Sequence, residues 1–165
     1  MPLKNIPKIL SPDLLYVLAA MGHGDEIVLV DIGFPTNSWC RNGPREIRAD
    51  GVDGPTMLDA ILELFPLDVY VEKPVALMDL LPVDKARNYP CLVKDKFLAL
   101  VNKHEGREVG VETLERMDFY ERCKKAYAIV HTGIELHYHS ISMLKEVSGV
   151  FNANIRVLSF DRYES

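Results

Sequence analysis

The apolar residues of this chain recur in two alternating rhythms. After Ser11-Pro12-Asp13, residues Leu14, Leu15, Leu18 and Met21 fall at helical spacing, which predicts an amphipathic helix from Ser11 to Met21. Ser11 supplies the N-cap, Pro12 the first turn and Asp13 an acid near the positive end of the helix dipole, and Gly22 ends the helix. Ile27 to Val30 is then a short β-branched run of the kind that lies in a sheet covered on both faces, with Asp31 at its C-terminal end. Gly33 to Pro44 is rich in turn residues and reads as a surface loop, and Glu46 to Ala49 as a second strand.

The alternation continues to the end of the core. Met57, Leu58, Ile61, Leu62 and Phe65 give a buried face to a helix from about Pro55 to Leu64, and Val75 to Leu80 reads as a strand. Pro82 to Pro90 is a polar connection, and Lys94 to His104 is helical through Phe97, Leu98 and Val101. Val111 to Arg116 alternates as a strand, Asp118 caps a short helix through Lys125, and Tyr127 to His131 returns to a buried strand before an alternating stretch, Glu135 to Ser140. Helices and strands interleave without repeat or linker, so one α/β domain is expected over the 165 residues.

Composition narrows the partners. With 48% hydrophobic and 26% charged residues the chain is an ordinary globular one, and a net charge of −5 gives no electrostatic reason to expect nucleic acid. No segment reaches the ~20 apolar residues of a membrane span, and prolines interrupt the N-terminus where a signal peptide needs an apolar run, so no membrane partner and a cytoplasmic location are expected. Cys40, Cys91 and Cys123 are an odd number at wide spacings, which suits reduced thiols rather than a disulfide framework.

The stretch MGHGDEIVLVD carries the densest ionisable chemistry. His23, between two glycines just past a helix end, is accessible and changes protonation near neutral pH, so it can act as acid or base; it is equally readable as a polar helix-end residue. Asp25 and Glu26 read as solvated loop acids, whereas Asp31 follows an apolar strand and is harder to dismiss. IRADG (Ile47 to Gly51) and RMDFYER (Arg116 to Arg122) combine arginine forks with acids, and the second adds Tyr120; both suit a polyhydroxylated ligand, though the second is also an ordinary charged helix face. His137 and His139 share a strand face, so an H-x-H zinc pair is geometrically possible, but no third ligand among His104 and His131 has a metal-site spacing. Nucleophile-elbow, Walker and dinucleotide-binding fingerprints are missing from the sequence.

Taken together, SPDLLYVLAAMGHGDEIVLVD, GPREIRADG, PLDVYVE and DFYERCKKAYAIVHTGIE closely resemble the fucose mutarotase branch of the ribose pyranase and fucose mutarotase (RbsD/FucU) family, from about Ile9 to Tyr138. The LLY helix and PLD-YVE segment resemble animal members. The resemblance implies a three-layer α/β/α fold with a central, largely parallel sheet. It also implies a homo-oligomer with sites near subunit contacts, and interconversion of the anomers of L-fucose with no cofactor. By the family's motifs His23 matches the proton donor, Asp31 and Arg116 match substrate-binding residues, and Tyr138 begins the family's Tyr-Gly-Asn substrate segment, so that Tyr138, His139 and Ser140 are expected at the sugar; Tyr120 is an added catalytic candidate. His23 and Asp31 are expected in one pocket, with Tyr138 or Tyr120 at the anomeric hydroxyl.

The sequence departs from that pattern in two places. Tyr-Gly-Asn reads Tyr138-His139-Ser140, which removes an amide and fills space beside the sugar, a change that puts turnover at risk. Residues 141–165 read as a divergent C-terminal extension of the single domain. Two alternatives to the enzyme follow: a fucose-binding or sensing relative with weak or no turnover, and a structural subunit that binds no sugar.

Overall fold

The structure is a computed structural model that describes residues 3–88, 90–133 and 141–145. The first helix, α1 (Pro12–Ala20), starts where the sequence places it, with the Ser11 hydroxyl accepting from the Leu14 amide at 3.2 Å, and runs into strand β1 (Glu26–Val30). A five-residue helix α2 (Thr36–Cys40) follows Pro35 inside the segment expected as a loop; it is too short to show a helical period in sequence. Strand β2 (Arg45–Ala49) leads to α3 (Gly54–Leu62), whose N-cap Asp53 binds the Thr56 amide at 2.8 Å. Then come β3 (Val75–Met78), the short α4 (Pro82–Ala86) within the expected polar connection, and α5 (Leu92–Glu105), closed by Gly106 at φ 65°. Strand β4 (Val111–Leu114), helix α6 (Arg116–Cys123), β5 (Ala128–Thr132) and β6 (Ile141–Leu144) complete the chain. The α6 cap is Glu115, which accepts from the Met117 amide at 2.9 Å, rather than Asp118, which lies in the first turn.

The strands form one six-stranded sheet in the order β2-β5-β1-β6-β3-β4. β1, β2 and β5 pair in parallel, as do β3 and β4, but β6 runs antiparallel between β1 and β3. The sheet is therefore mixed, and Ile141–Leu144, expected as the start of an extension, are a central strand. The physical reason is plain: β1 and β3 are buried and do not touch, so their facing amides and carbonyls need a partner strand, and β6 supplies one, with Ile141 and Met143 fully buried.

Alternate residues of β1 explain the layers. Ile27 and Leu29 join a core with Leu14, Val17 and Leu18 of α1, Met57, Leu58 and Ile61 of α3, and Phe97 and Val101 of α5. Val28 and Val30 face the opposite layer, with Phe34, Met78, Phe119 and Cys123. Helices thus cover both sheet faces, the three-layer α/β/α arrangement expected from the sequence, and each fully buried Phe, Leu or Ile contributes about 1.5–3 kcal/mol. His104 Nε2 lies 2.7 Å from Asp59 Oδ1 and ties α5 to α3. No helix among the described residues is long and apolar enough to cross a membrane.

Candidate active site

The two ends of β1 carry different chemistry. At its N-terminal end, α1 stops and the chain turns through Gly22 to Asp25. Gly24 adopts φ 78°, a left-handed conformation that costs glycine little, and the Asp25 carboxylate accepts from the Gly22 amide at 2.7 Å. The end of β6 fastens this turn: Gly24 N donates to Lys145 O (3.0 Å) and Lys145 N to Asp25 O (2.9 Å). The Lys145 ammonium reaches the last carbonyls of α1, Leu18 O at 2.5 Å and Met21 O at 2.8 Å. Burial lowers the Lys145 pKa, with Asp25 opposing.

His23 is held by this turn with its side chain 50% exposed. Its Nε2 lies 3.7 Å from Oδ2 of Asp68, whose side chain is only 3% exposed, and its ring meets that of Tyr70 edge-on at 6.2 Å. Both neighbours lie in the PLDVYVE segment, but the sequence reading gave neither a role, although an acid directly after the apolar run Leu64-Phe65-Pro66-Leu67 is a signal that could have found Asp68.

At the C-terminal end, Asp31 Oδ1 accepts from the Gly33 amide at 2.9 Å and turns the chain toward Phe34 and α2. The edge strand β4 runs parallel to β3 and leads into α6, which carries Arg116 and Tyr120. The Tyr120 ring packs edge-on against Phe34 (5.0 Å between centroids) and Trp39 (5.6 Å), while the Arg116 guanidinium lies 5.7 Å from the Tyr120 ring and donates weakly to its hydroxyl (3.4 Å). Lys124 Nζ sits 4.5 Å over Trp39. Phe34 and Trp39 were not singled out in sequence; a lone tryptophan in a polar, turn-rich segment was the available signal.

Behind this aromatic group lies a buried polar pair. His131, 4% exposed, shares a 2.7 Å hydrogen bond between Nδ1 and the Thr36 hydroxyl, and its Nε2 is 3.9 Å from Asp50. Loss of solvent lowers the His131 pKa, and the Arg48 charge adds to this against Asp50, Glu46 and Asp31. The Arg48 guanidinium of IRADG is engaged by Asp50 and Glu46. A side chain at Gly133 would strike the Asp50 carbonyl oxygen, 1.7 Å from an added Cβ, so only glycine lets the chain leave β5 here. The sequence reading took Glu26 as a solvated acid, but it is partly buried in β1 and bonds Arg122 of RMDFYER at 2.7 Å; desolvation raises its pKa and Arg122 opposes. Burial pushes the Cys40 and Cys123 thiols up to about 11 and about 12, so both stay protonated and unreactive at neutral pH.

The structure therefore brings Asp31, Arg116 and Tyr120 to one edge of the sheet and His23 to the other. Glu26 to Val30 alone spans about 13 Å at the usual strand rise, so within one chain β1 keeps His23 and Asp31 apart rather than in one pocket. Tyr138, His139 and Ser140, like His137, lie outside the described residues; β6 begins just after them, with Ile141 paired to Leu29 at the Asp31 end.

A three-layer α/β domain with its polar groups at the strand ends is of the class whose small ligands sit at the ends of the strands. The model of the RbsD / FucU transport protein family matches residues 4–148, and the chain belongs to that family. It is 51% identical to the fucose mutarotase of Mus musculus over 87% of this chain and 93% of that one. Among solved structures, FucU from Bifidobacterium longum superposes with a TM-score of 0.82 at 40% identity, over 87% of this chain and 99% of that one. The fucose mutarotase of Streptococcus pneumoniae in complex with L-fucose gives 0.79 at 43%, over 88% and 99%.

Proposed function

We propose that this protein is an isomerase that interconverts the α and β anomers of L-fucose. The observation that carries the reading is the exposed His23 imidazole, fixed on a tight turn beside a buried carboxylate, in a chain half identical to a fucose mutarotase. His23 as imidazolium donates its proton to the ring oxygen as the bond from that oxygen to C1 breaks. A base takes the proton of the anomeric hydroxyl, and C1 becomes an aldehyde carbon. Rotation about C1–C2 and the reverse proton transfers close the ring on the other face. Asp31 and Arg116 hold sugar hydroxyls, and the Tyr120 hydroxyl or Tyr138 faces the anomeric oxygen. Phe34 and Trp39 offer an apolar wall to the C6 methyl of a 6-deoxy sugar. Because sugars mutarotate slowly unaided, one or two such groups contributing about 10²- to 10⁴-fold each suffice.

Since β1 separates His23 from Asp31, the working site is built between two copies of the chain, one giving His23 and the other Asp31, Arg116 and Tyr120. The exposed apolar residues Val69, Tyr70 and Val71, next to His23, are the surface such a neighbour would cover. The protein is accordingly a homo-oligomer, and its free, shielded thiols suit the cytoplasm. Saturation transfer between the two anomeric proton signals of L-fucose tests the activity. Transfer that appears with the wild-type protein and vanishes with His23→Ala is the expected result; fucose line broadening with no transfer would make the protein a binding relative instead.

A further inference from the structure

We infer that His131 is a positioning residue for sugar recognition: through the Thr36 hydroxyl it fixes α2 to the end of β5, and with α2 the Phe34–Trp39 wall. This rests on the reading of that wall as part of the fucose site. A helix of five residues does not hold its own shape, and α2 has no side-chain cap. It is placed by what it touches. Asn37 Nδ2 donates to Glu46 Oε2 at 3.1 Å and Lys124 lies over Trp39, but both contacts involve exposed side chains, where water and salt weaken them. Thr36 is the one buried residue of α2, 1% exposed, and its hydroxyl shares the 2.7 Å bond with His131 Nδ1. The histidine end of that bond is itself held on both sides, since His131 is in register with Val30 of β1 and Arg48 of β2. Apolar side chains at both positions would fill this space at no polar cost. A hydroxyl and an imidazole out of water instead demand one geometry, because either group left unpaired is costly. Phe34 precedes Thr36 by two residues and Trp39 follows it by three, so the same bond sets the angle at which both rings meet Tyr120.

The direction of the bond follows from the charges around the ring. Asp50, just beyond β2, lies 3.9 Å from Nε2; Glu46 on β2 and Asp31 at the end of β1 add negative charge, and Arg48 on β2 opposes them. A carboxylate beside Nε2 keeps the hydrogen on that nitrogen, so Nδ1 accepts and the Thr36 hydroxyl donates. A second proton, on Nδ1, ends that arrangement: the hydroxyl must become the acceptor and turn its own hydrogen to Phe34 O, 3.4 Å away. Protonation thus reverses the bond and puts a charge into the layer that carries the wall. Burial holds the His131 pKa below its ordinary value, so the neutral ring, and the wall it sets, prevail at neutral pH.

Trp39 is the chain's single tryptophan, so its fluorescence reports on α2 without a label. The experiment follows that emission and the His131 ring protons by NMR from pH 7.5 to 5, and KM and kcat for L-fucose by saturation transfer at pH 7.5. It uses the wild type, Thr36→Val, His131→Asn and His104→Ala. Valine keeps the shape of threonine and loses the hydroxyl; asparagine puts an acceptor near the place of Nδ1 and does not titrate. His104→Ala removes a histidine bond in the opposite layer, so it shows what a loss of stability alone does. In the wild type the emission changes in step with the His131 protons. Thr36→Val shifts the emission at pH 7.5, loses that step, and raises KM about fivefold with kcat within twofold. His131→Asn loses the step but keeps KM within twofold of wild type, and His104→Ala leaves step and KM alone. Wild-type emission that stays flat as His131 titrates, a step that persists in His131→Asn, or a KM unchanged in Thr36→Val or raised equally in His104→Ala, overturns the inference. Emission needs no turnover, so a wild type that fails to accelerate exchange would defeat the mutarotase reading while Trp39 still decides the coupling to His131. If Thr36→Val does not fold, the wild-type step and its loss in His131→Asn decide the question.

Discussion

The two ends of β1 are built on opposite principles. The N-terminal end is a backbone device: hydrogen bonds among Gly22, Gly24, Asp25 and Lys145 hold one half-exposed imidazole in place beside Asp68. The C-terminal end is a side-chain device, in which Phe34, Trp39 and Tyr120 pack on one another and Arg116, Asp31 and the His131–Thr36 pair surround them. One end suits proton transfer, which needs a single group aimed well; the other suits recognition, which needs area and several donors. The strand between them sets the spacing, and in the proposed site that spacing is what calls for a second copy of the chain.

Mutations at the two ends should fail differently. His23→Ala lowers kcat by about 10²-fold or more with the fold intact, because the residue is exposed and packs on little; near-normal saturation transfer would contradict its role. Trp39→Ala raises the KM for L-fucose about tenfold and lowers kcat less, as removal of an apolar wall should; titration calorimetry or initial rates separate the two. An equal fall in kcat with unchanged KM would place Trp39 in the chemistry instead.

A smaller effect concerns stability. The His131 pKa is lowered in the folded state from its ordinary 6.5, so the unfolded chain binds the extra proton first. Its contribution is fully present above pH 6.5 and is lost as pH falls toward the folded-state value. His131→Gln should therefore flatten the loss of thermal stability between pH 6.5 and 5, measured by circular dichroism, relative to the wild type. The smallest effect is expected at His104→Ala, which removes the bond to the partly exposed Asp59 and costs about 0.5–1 kcal/mol in denaturant unfolding.

Much of this was legible in sequence, and what was missed has a physical reason. The periods of α1, α3 and α5 and the β-branched runs of β1 and β5 are long enough to show their class, and the two-sided burial of β1 followed from an unbroken apolar run. α2 and α4, five residues each, carry barely more than one turn and no period. β6 has four residues, and its importance comes from the gap between β1 and β3, which only the folded sheet reveals. At the site, His23, Asp31, Arg116 and Tyr120 were named from motif and residue type. Their division between the two ends of one strand was not, because sequence proximity suggested a shared pocket where strand geometry dictates separation. Asp68 was given no role for a similar reason: His23, its neighbour in the fold, lies 45 residues away along the chain.

The central claim, that one site draws His23 from one copy and Asp31 from another, has a direct test. His23→Ala and Asp31→Ala, each inactive alone, are co-expressed and the mixed oligomer is assayed by saturation transfer on L-fucose. If the site is shared between neighbours, random mixing recreates intact sites at about a quarter of positions, and exchange returns to about that fraction of the wild-type rate. If both residues serve one pocket of one chain, every pocket in the mixture stays defective and no exchange returns.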